Sequence, residues 1–310
     1  MNRTGLAHEI APTPTEVTRV LSAQATIGEG PLWSPREQRL YWADIVGKQL
    51  HIFNPAEGGN QTFDLPQLVT SVSTRDKGGL ILTLRDSFAF FDPATGKLEL
   101  LATPEPDQPG NRFNDGKCDR QGRLWAGTMG DVNWDAPVGN LYRFDGRAHA
   151  KPLSATRMDE GICCSNGLGW SPDSRTMYFA ESFRYRILAY DFDAATGAIA
   201  NRRIFVNVNG ETGGFPDGLT VDAEGFVWSA QPVYGRLVRY APSGSIDRII
   251  ELPVSRGTSV MFGGPNLDVL YVTTMRGALT EAQLAEEPLA GSLLALRPGV
   301  KGLAEAPFAG

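Results

Sequence analysis

The chain is written in short apolar runs of five or six residues separated by polar turns, and almost nowhere in helical spacing. Four runs share one form: RLYWAD at 39–44, GRLWAG at 122–127, TMYFAE at 176–181 and GFVWSA at 225–230. A second set alternates apolar residues and closes on an Asp, Asn, Pro or Gly turn, at 50–55, 88–93, 141–146, 187–193 and 237–242. Alternation that ends in turn residues predicts antiparallel hairpins. Further strand-like runs follow at 97–101, 202–206 and 247–251. Only residues 279–289 suggest a turn or two of helix.

These runs recur with a period. Gly30, Gly116, Gly167 and Gly218 mark one phase of the repeat, at steps of 86, 51 and 51 residues, and the first step holds two units of 43. The missing marker falls near LVTSVS at 68–73, and a sixth unit near SVMFGG at 259–264 with LYVTT at 270–274. Units of this length with about four strands match propeller blades. The expected fold is therefore all-β, a six-bladed β-propeller with four-stranded antiparallel blades around a central channel. Residues 1–15, with Pro12 and Pro14, are expected to form a flexible arm, and residues 16–310 a single domain. Residues 16–26 are expected to supply the outer strand of the last blade.

Composition narrows the chemistry. A net charge of −6 without a basic block speaks against nucleic acid or an anionic membrane as partner. No apolar run reaches the ~18 residues of a spanning helix, and the first 20 residues lack a signal-peptide core. The three cysteines, Cys118, Cys163 and Cys164, suit neither a disulfide framework nor a zinc site and read as small buried apolar residues. Together these features lead us to expect a cytoplasmic protein. None of the three histidines, His8, His51 and His149, lies in a motif. Catalysis therefore falls to carboxylates, amides, Arg, Lys or a metal. The pattern carries no signal of oligomeric state.

The residues before the phase-marking glycines are Glu29, Asp115 (after Asn114), Asn166 and Asp217. In a propeller, equivalent phases of the first strands converge at one mouth of the channel. Glu29, Asn114, Asn166 and Asp217 would there form an all-oxygen shell for one divalent cation: Ca²⁺, Mg²⁺ or Mn²⁺, with Zn²⁺ atypical for such a set. The competing reading, that Asn and Asp before Gly only form turns, explains single positions but not Glu29. Arg112, two residues before Asn114, would face the same side of an extended segment and bind substrate, or else form a surface ion pair. Trp134, in the loop 130–139, either stacks on a sugar face or packs the loop onto its blade.

The motifs GEGP at 28–31, RFNDGK at 112–117, AGTM at 126–129, SNGL at 165–168 with Trp170 and Ser171, PDG at 216–218 and FGG at 262–264 together resemble the senescence marker protein, gluconolactonase and luciferin-regenerating enzyme (regucalcin-like) family. The resemblance runs from about residue 27 to 296. It implies a six-bladed propeller with one divalent metal in the channel and hydrolysis of sugar lactones. It places Glu29, Asn166 and Asp217 as metal ligands, Asn114 as a substrate contact reaching toward the metal, and Arg112 as a substrate-binding arginine. The sequence departs from the pattern at Gly169, Glu181, Val260, Met261 and the loop 230–235, and that loop leaves substrate choice open. The expected reaction is metal-assisted hydrolysis of an aldonolactone, with Asp217 accepting a proton from water and Arg112, Asn114 and Asp115 binding the sugar. Two other readings remain: a phosphotriester hydrolase on the same metal site, and a non-catalytic calcium-binding propeller.

Overall fold

The computed structural model describes residues 10–146, 155–208 and 214–310. It shows six four-stranded antiparallel sheets arranged as a six-bladed propeller. Blade one is Gly28–Ser34, Arg39–Asp44, Gln49–Asn54 and Gly59–Asp64. Blade two is Val69–Thr74, Leu80–Leu84, Phe88–Asp92 and Lys97–Ala102. Blade three is Asn111–Cys118, Leu124–Gly130, Gly139–Phe144 and Ala155–Ile162. Blade four is Ser165–Trp170, Thr176–Glu181, Arg186–Asp193 and Ala198–Asn207. Blade five is Leu219–Val221, Val227–Gln231, Arg236–Tyr240 and Ile246–Glu251. Blade six is Gly257–Gly263, Val269–Thr274 and Leu293–Leu296, completed by Val17–Leu21. The N-terminal strand thus closes the ring as the outer strand of the last blade.

The expected arm falls outside the described residues as far as residue 9, and so do His8 and His149. Beyond residue 9 the segment is tied to blade five, where Thr13 N–H donates to Ile249 O at 2.7 Å. The single α-helix among the described residues, Glu281–Glu286, opens on Thr280, whose side chain accepts from Gln283 N in a capping box.

Inner and outer strands differ as their positions require. Each first strand is buried nearly throughout, whereas fourth strands such as Lys97–Ala102 and Ala198–Asn207 are largely exposed or half-buried. Successive inner strands pack side by side, and the sixth returns to the first. The phase-marking glycines make this approach possible. A Cβ on Gly218 would stand 1.9 Å from Ser259 Oγ in blade six, and one on Gly167 would stand 2.2 Å from Leu219 N in blade five. Close backbone approach between blades therefore demands glycine at these places.

The turn between first and second strands repeats a polar device. In blade three Asp119 Oδ2 accepts from Trp125 Nε1 (3.0 Å) and Arg123 Nε (2.6 Å). In blade five Asp222 Oδ2 accepts from Trp228 Nε1 (2.9 Å) and Arg239 Nε (2.8 Å). The buried carboxylates are thus paired and hydrogen-bonded, as burial requires. These turns lie at the lower end of the ring. The C-terminal segment runs along the same end, where Ala309 N–H donates to Gly122 O, Phe308 N–H to Thr74 O and Ala223 N–H to Lys301 O.

Candidate metal centre

The residues expected to converge sit where the inner strands break register. Pairing shifts between Glu29 and Leu32 in blade one, between Phe113 and Gly116 in blade three, and between Ser165 and Leu168 in blade four. Glu29, Asn114 and Asn166 therefore lie inside their strands, at bulges, rather than just before them as the sequence pattern suggests. A bulge adds one residue to one strand, breaks the alternation of faces and re-aims a side chain. Asp217 does precede its strand, and its N–H donates to Ala230 O at 2.9 Å. All four side chains are buried.

The two asparagines are held differently. Ser182 Oγ donates its one hydrogen to Pro216 O at 2.8 Å, which leaves its lone pairs to accept from Asn166 Nδ2 at 3.0 Å. That fixes the amide with Oδ1 pointing away from the serine. Asn166 Oδ1 is buried and has no hydrogen-bond partner. Asn114 is engaged at both ends: Nδ2 donates to Ser165 O at 2.7 Å, and Oδ1 accepts from Arg112 Nη1 at 2.8 Å.

The carboxylates repel one another. Burial first, then the charges of Asp217 and Asp115, holds the Glu29 carboxyl well above its usual range. Burial and Asp115 do the same to Asp217, against a hydrogen bond from Asn166. Asp115 is raised by burial and lowered by Lys117 and by the N–H of Gly116. Three buried carboxyls beside an unpartnered amide oxygen form a site that a divalent cation would relieve. The donor set is hard oxygen throughout, which suits Ca²⁺, Mg²⁺ or Mn²⁺. Among the described residues no three His, Cys, Asp or Glu side chains are placed to hold a metal by themselves. Asn166 Oδ1 is therefore the candidate further donor beside Glu29 and Asp217, and the charge of Asp115 raises both carboxyls.

Arg112 is buried, 8% exposed, with Nε 3.1 Å from Asp131 Oδ1. It is ion-paired, yet at the site rather than on the open surface. It reaches Asn114, on the same side as the extended-strand argument expects. Asp131 also binds Arg85 at 3.0 Å. The sequence reading missed Asp131, Ser182 and Glu105. Glu105 accepts from Asn111 Nδ2 (2.9 Å), Thr128 Oγ1 (2.8 Å), Asn140 Nδ2 (2.6 Å) and Tyr142 OH (3.0 Å), and so ties the strand that carries Arg112 to the second and third strands of blade three. Cys164 also stands here: burial and the charges of Asp217 and Glu29 push its thiol up to about 12, against the pull of Arg112. Trp134 is 46% exposed and donates Nε1–H to Asp131 O at 3.1 Å, so it belongs to the rim over blade three. Glu181 is fully buried and ion-paired with Arg186 at 2.6 Å.

The SMP-30/gluconolactonase/LRE-like region model matches residues 27–276. The chain belongs to this family. Its relatives within the family include the 6-deoxy-6-sulfogluconolactonase of Pseudomonas putida, 37% identical over 292 residues, which span 94% of this chain and 98% of that protein. Regucalcin of Oryctolagus cuniculus is 35% identical over 295 residues, 94% of this chain and 97% of its own. Among solved structures, a calcium-binding regucalcin of Agrobacterium tumefaciens superposes with a TM-score of 0.89 at 29% identity, covering 96% of this chain and 99% of that one.

Proposed function

We propose that the chain hydrolyses a sugar lactone to its aldonic acid at the centre built on Glu29, Asn166 and Asp217. The observation that carries this reading is Asn166 Oδ1, buried without a partner beside carboxyls that repel one another. Membership of a family with lactonases supports it. One divalent cation held there, Ca²⁺, Mg²⁺, Mn²⁺ or Zn²⁺, would supply a positive charge to polarise the ester carbonyl. Asp217 takes a proton from the attacking water while the water oxygen adds to the carbonyl carbon. The ring C–O bond then breaks, and the departing oxygen takes the proton back from Asp217. The new carboxylic acid ionises and releases one proton to solvent. Arg112, Asn114 and Asp115 orient the sugar hydroxyls, and the guanidinium of Arg112 offsets negative charge on the reacting oxygen.

The buried Arg112 with its partner Asp131 favours a hydroxylated substrate over a neutral phosphotriester, because an apolar ligand would leave their polar groups unmatched. Replacing Asp217 by Asn keeps an oxygen at the proposed cation centre but removes the proton acceptor. Turnover of aldonolactones should fall by about a thousandfold in kcat, in line with loss of a proton-transfer group. Unchanged turnover in D217N would remove Asp217 from the reaction.

A further inference from the structure

Three aromatic rings form a row across blades three, four and five at the mouth of the centre. Trp134 and Phe183 lie with centroids 6.1 Å apart, and Phe183 and Phe215 lie 5.4 Å apart. Each ring rides on a segment that carries a site residue. Phe183 follows Ser182, which orients Asn166. Phe215 precedes Pro216 and Asp217. Trp134 binds the backbone of Asp131, the partner of Arg112. In antiparallel blades the start of the first strand and the turn between second and third strands lie at the same end. The row therefore stands at the end of the ring that holds Asn166 and Asp217.

The surrounding loops carry further exposed apolar residues among their polar ones, and one of them is strained. Val132 is 88% and Val138 42% exposed beside Trp134. Val233, in the corresponding turn of blade five, is 36% exposed and holds φ at +73°. A β-branched residue in that region is costly, and such residues cluster at ligand clamps. Next to it the Tyr234 ring lies so close to Gly214 that a Cβ there would stand 1.8 Å from the ring. One pyranose face needs one aromatic ring. The exposed Trp134, the half-buried Phe183 and Phe215 and the exposed valines together offer more apolar surface than a fully hydroxylated sugar can use, and apolar surface of this kind beside a polar centre marks binding sites.

We infer that the rim formed by Trp134, Phe183 and Phe215 is an apolar subsite. It selects sugar lactones that carry an apolar group at the end distal to the carbonyl, such as a deoxy methyl or an O-benzyl ether. The inference rests on the lactonase reading for its choice of ligand. Polar recognition by Arg112 and Asp131 then serves the ring, and the aromatic row serves the far end.

Matched pairs test it: L-mannono- against L-rhamnono-1,4-lactone, and glucono-1,5-lactone against its 6-O-benzyl ether. The wild type should prefer the apolar member of each pair in kcat/KM. Phe183→Ser should reduce that preference about tenfold for the benzyl pair, and Phe183→Tyr should keep it. Pair ratios equal in wild type and F183S would overturn the inference while leaving the lactonase reading intact. Gluconolactam and its 6-O-benzyl ether, titrated calorimetrically into the calcium-loaded protein, give a readout without turnover. Tighter, Phe183-dependent binding of the benzyl lactam would sustain the subsite even if no lactone were hydrolysed. Equal binding of the two lactams would overturn it.

Discussion

Ser182 decides which end of the Asn166 amide faces the channel, by accepting from Nδ2 at 3.0 Å while donating to Pro216 O. One hydroxyl thereby couples blade four to the segment that carries Asp217. The candidate donor Asn166 is held by a group outside the proposed ligand set, and groups one step removed commonly set ligand orientation.

Removing that hydroxyl should free the amide to rotate. Ser182→Ala is expected to weaken divalent-cation affinity by about 10-fold or more, the usual scale for losing an outer partner. Isothermal titration of the chelator-stripped protein checks it. Stability should fall by about 1–3 kcal/mol as well, because Pro216 O loses its buried donor, so the titration is made well below the melting temperature of the variant. Affinity equal to wild type would show that the serine does not orient Asn166.

Arg112 should matter for turnover far more than for folding. Arg112→Gln is expected to lower kcat/KM for aldonolactones by about 100-fold, the scale of one lost charge-stabilising donor. Asp131→Asn should lower it less, since Arg112 keeps its bonds to Asn114 and Phe113. Steady-state kinetics on the two variants decides the order.

The blade-to-blade approach makes a stability prediction. Gly218→Ala would drive a methyl into Ser259 and should cost about 1–3 kcal/mol, as overpacking of a tight contact does. Ser259→Gly in the same chain should recover part of the loss. Chemical denaturation of the single and double variants measures both terms, and additive losses would place the strain elsewhere.

His51 makes the pH prediction. It stacks on Trp42 with centroids 3.9 Å apart, and burial lowers its pKa to about 4, against the charges of Asp44 and Asp64. The unfolded chain therefore binds a proton near pH 6.5 that the folded one refuses until about 4. Stability from this group is complete above pH 6.5 and is lost as pH falls toward 4, by at most about 3 kcal/mol. His51→Phe should flatten that part of the stability-against-pH curve. A slope unchanged by the substitution would assign it to other groups.

Much of the architecture was legible because a propeller repeats its pattern. The recurring RLYWAD-like runs and the Gly30, Gly116, Gly167 and Gly218 phase gave the blades, and the closing strand at Val17–Leu21 followed from the need to complete the ring. The family motifs pointed to Glu29, Asn166 and Asp217. The bulges were not legible: a strand pattern of period two gives no sign of one inserted residue. Glu105, Ser182 and Asp131 were missed because each acts from a turn or a neighbouring strand, at no repeated position. Trp134 was singled out in its loop, but Phe183, in the equivalent turn of blade four, and Phe215, ahead of blade five, were not, because only the ring brings the three side chains together.

The most direct test of the central claim is a pH-indicator assay over a panel of aldonolactones. The chelator-stripped protein would be compared with the same protein reloaded with Ca²⁺, Mg²⁺, Mn²⁺ or Zn²⁺, and with Asp217→Ala. We expect acid release that appears only on reloading, on at least one lactone, and is lost in the variant. Confirmed cation binding with no turnover of any lactone would contradict the account.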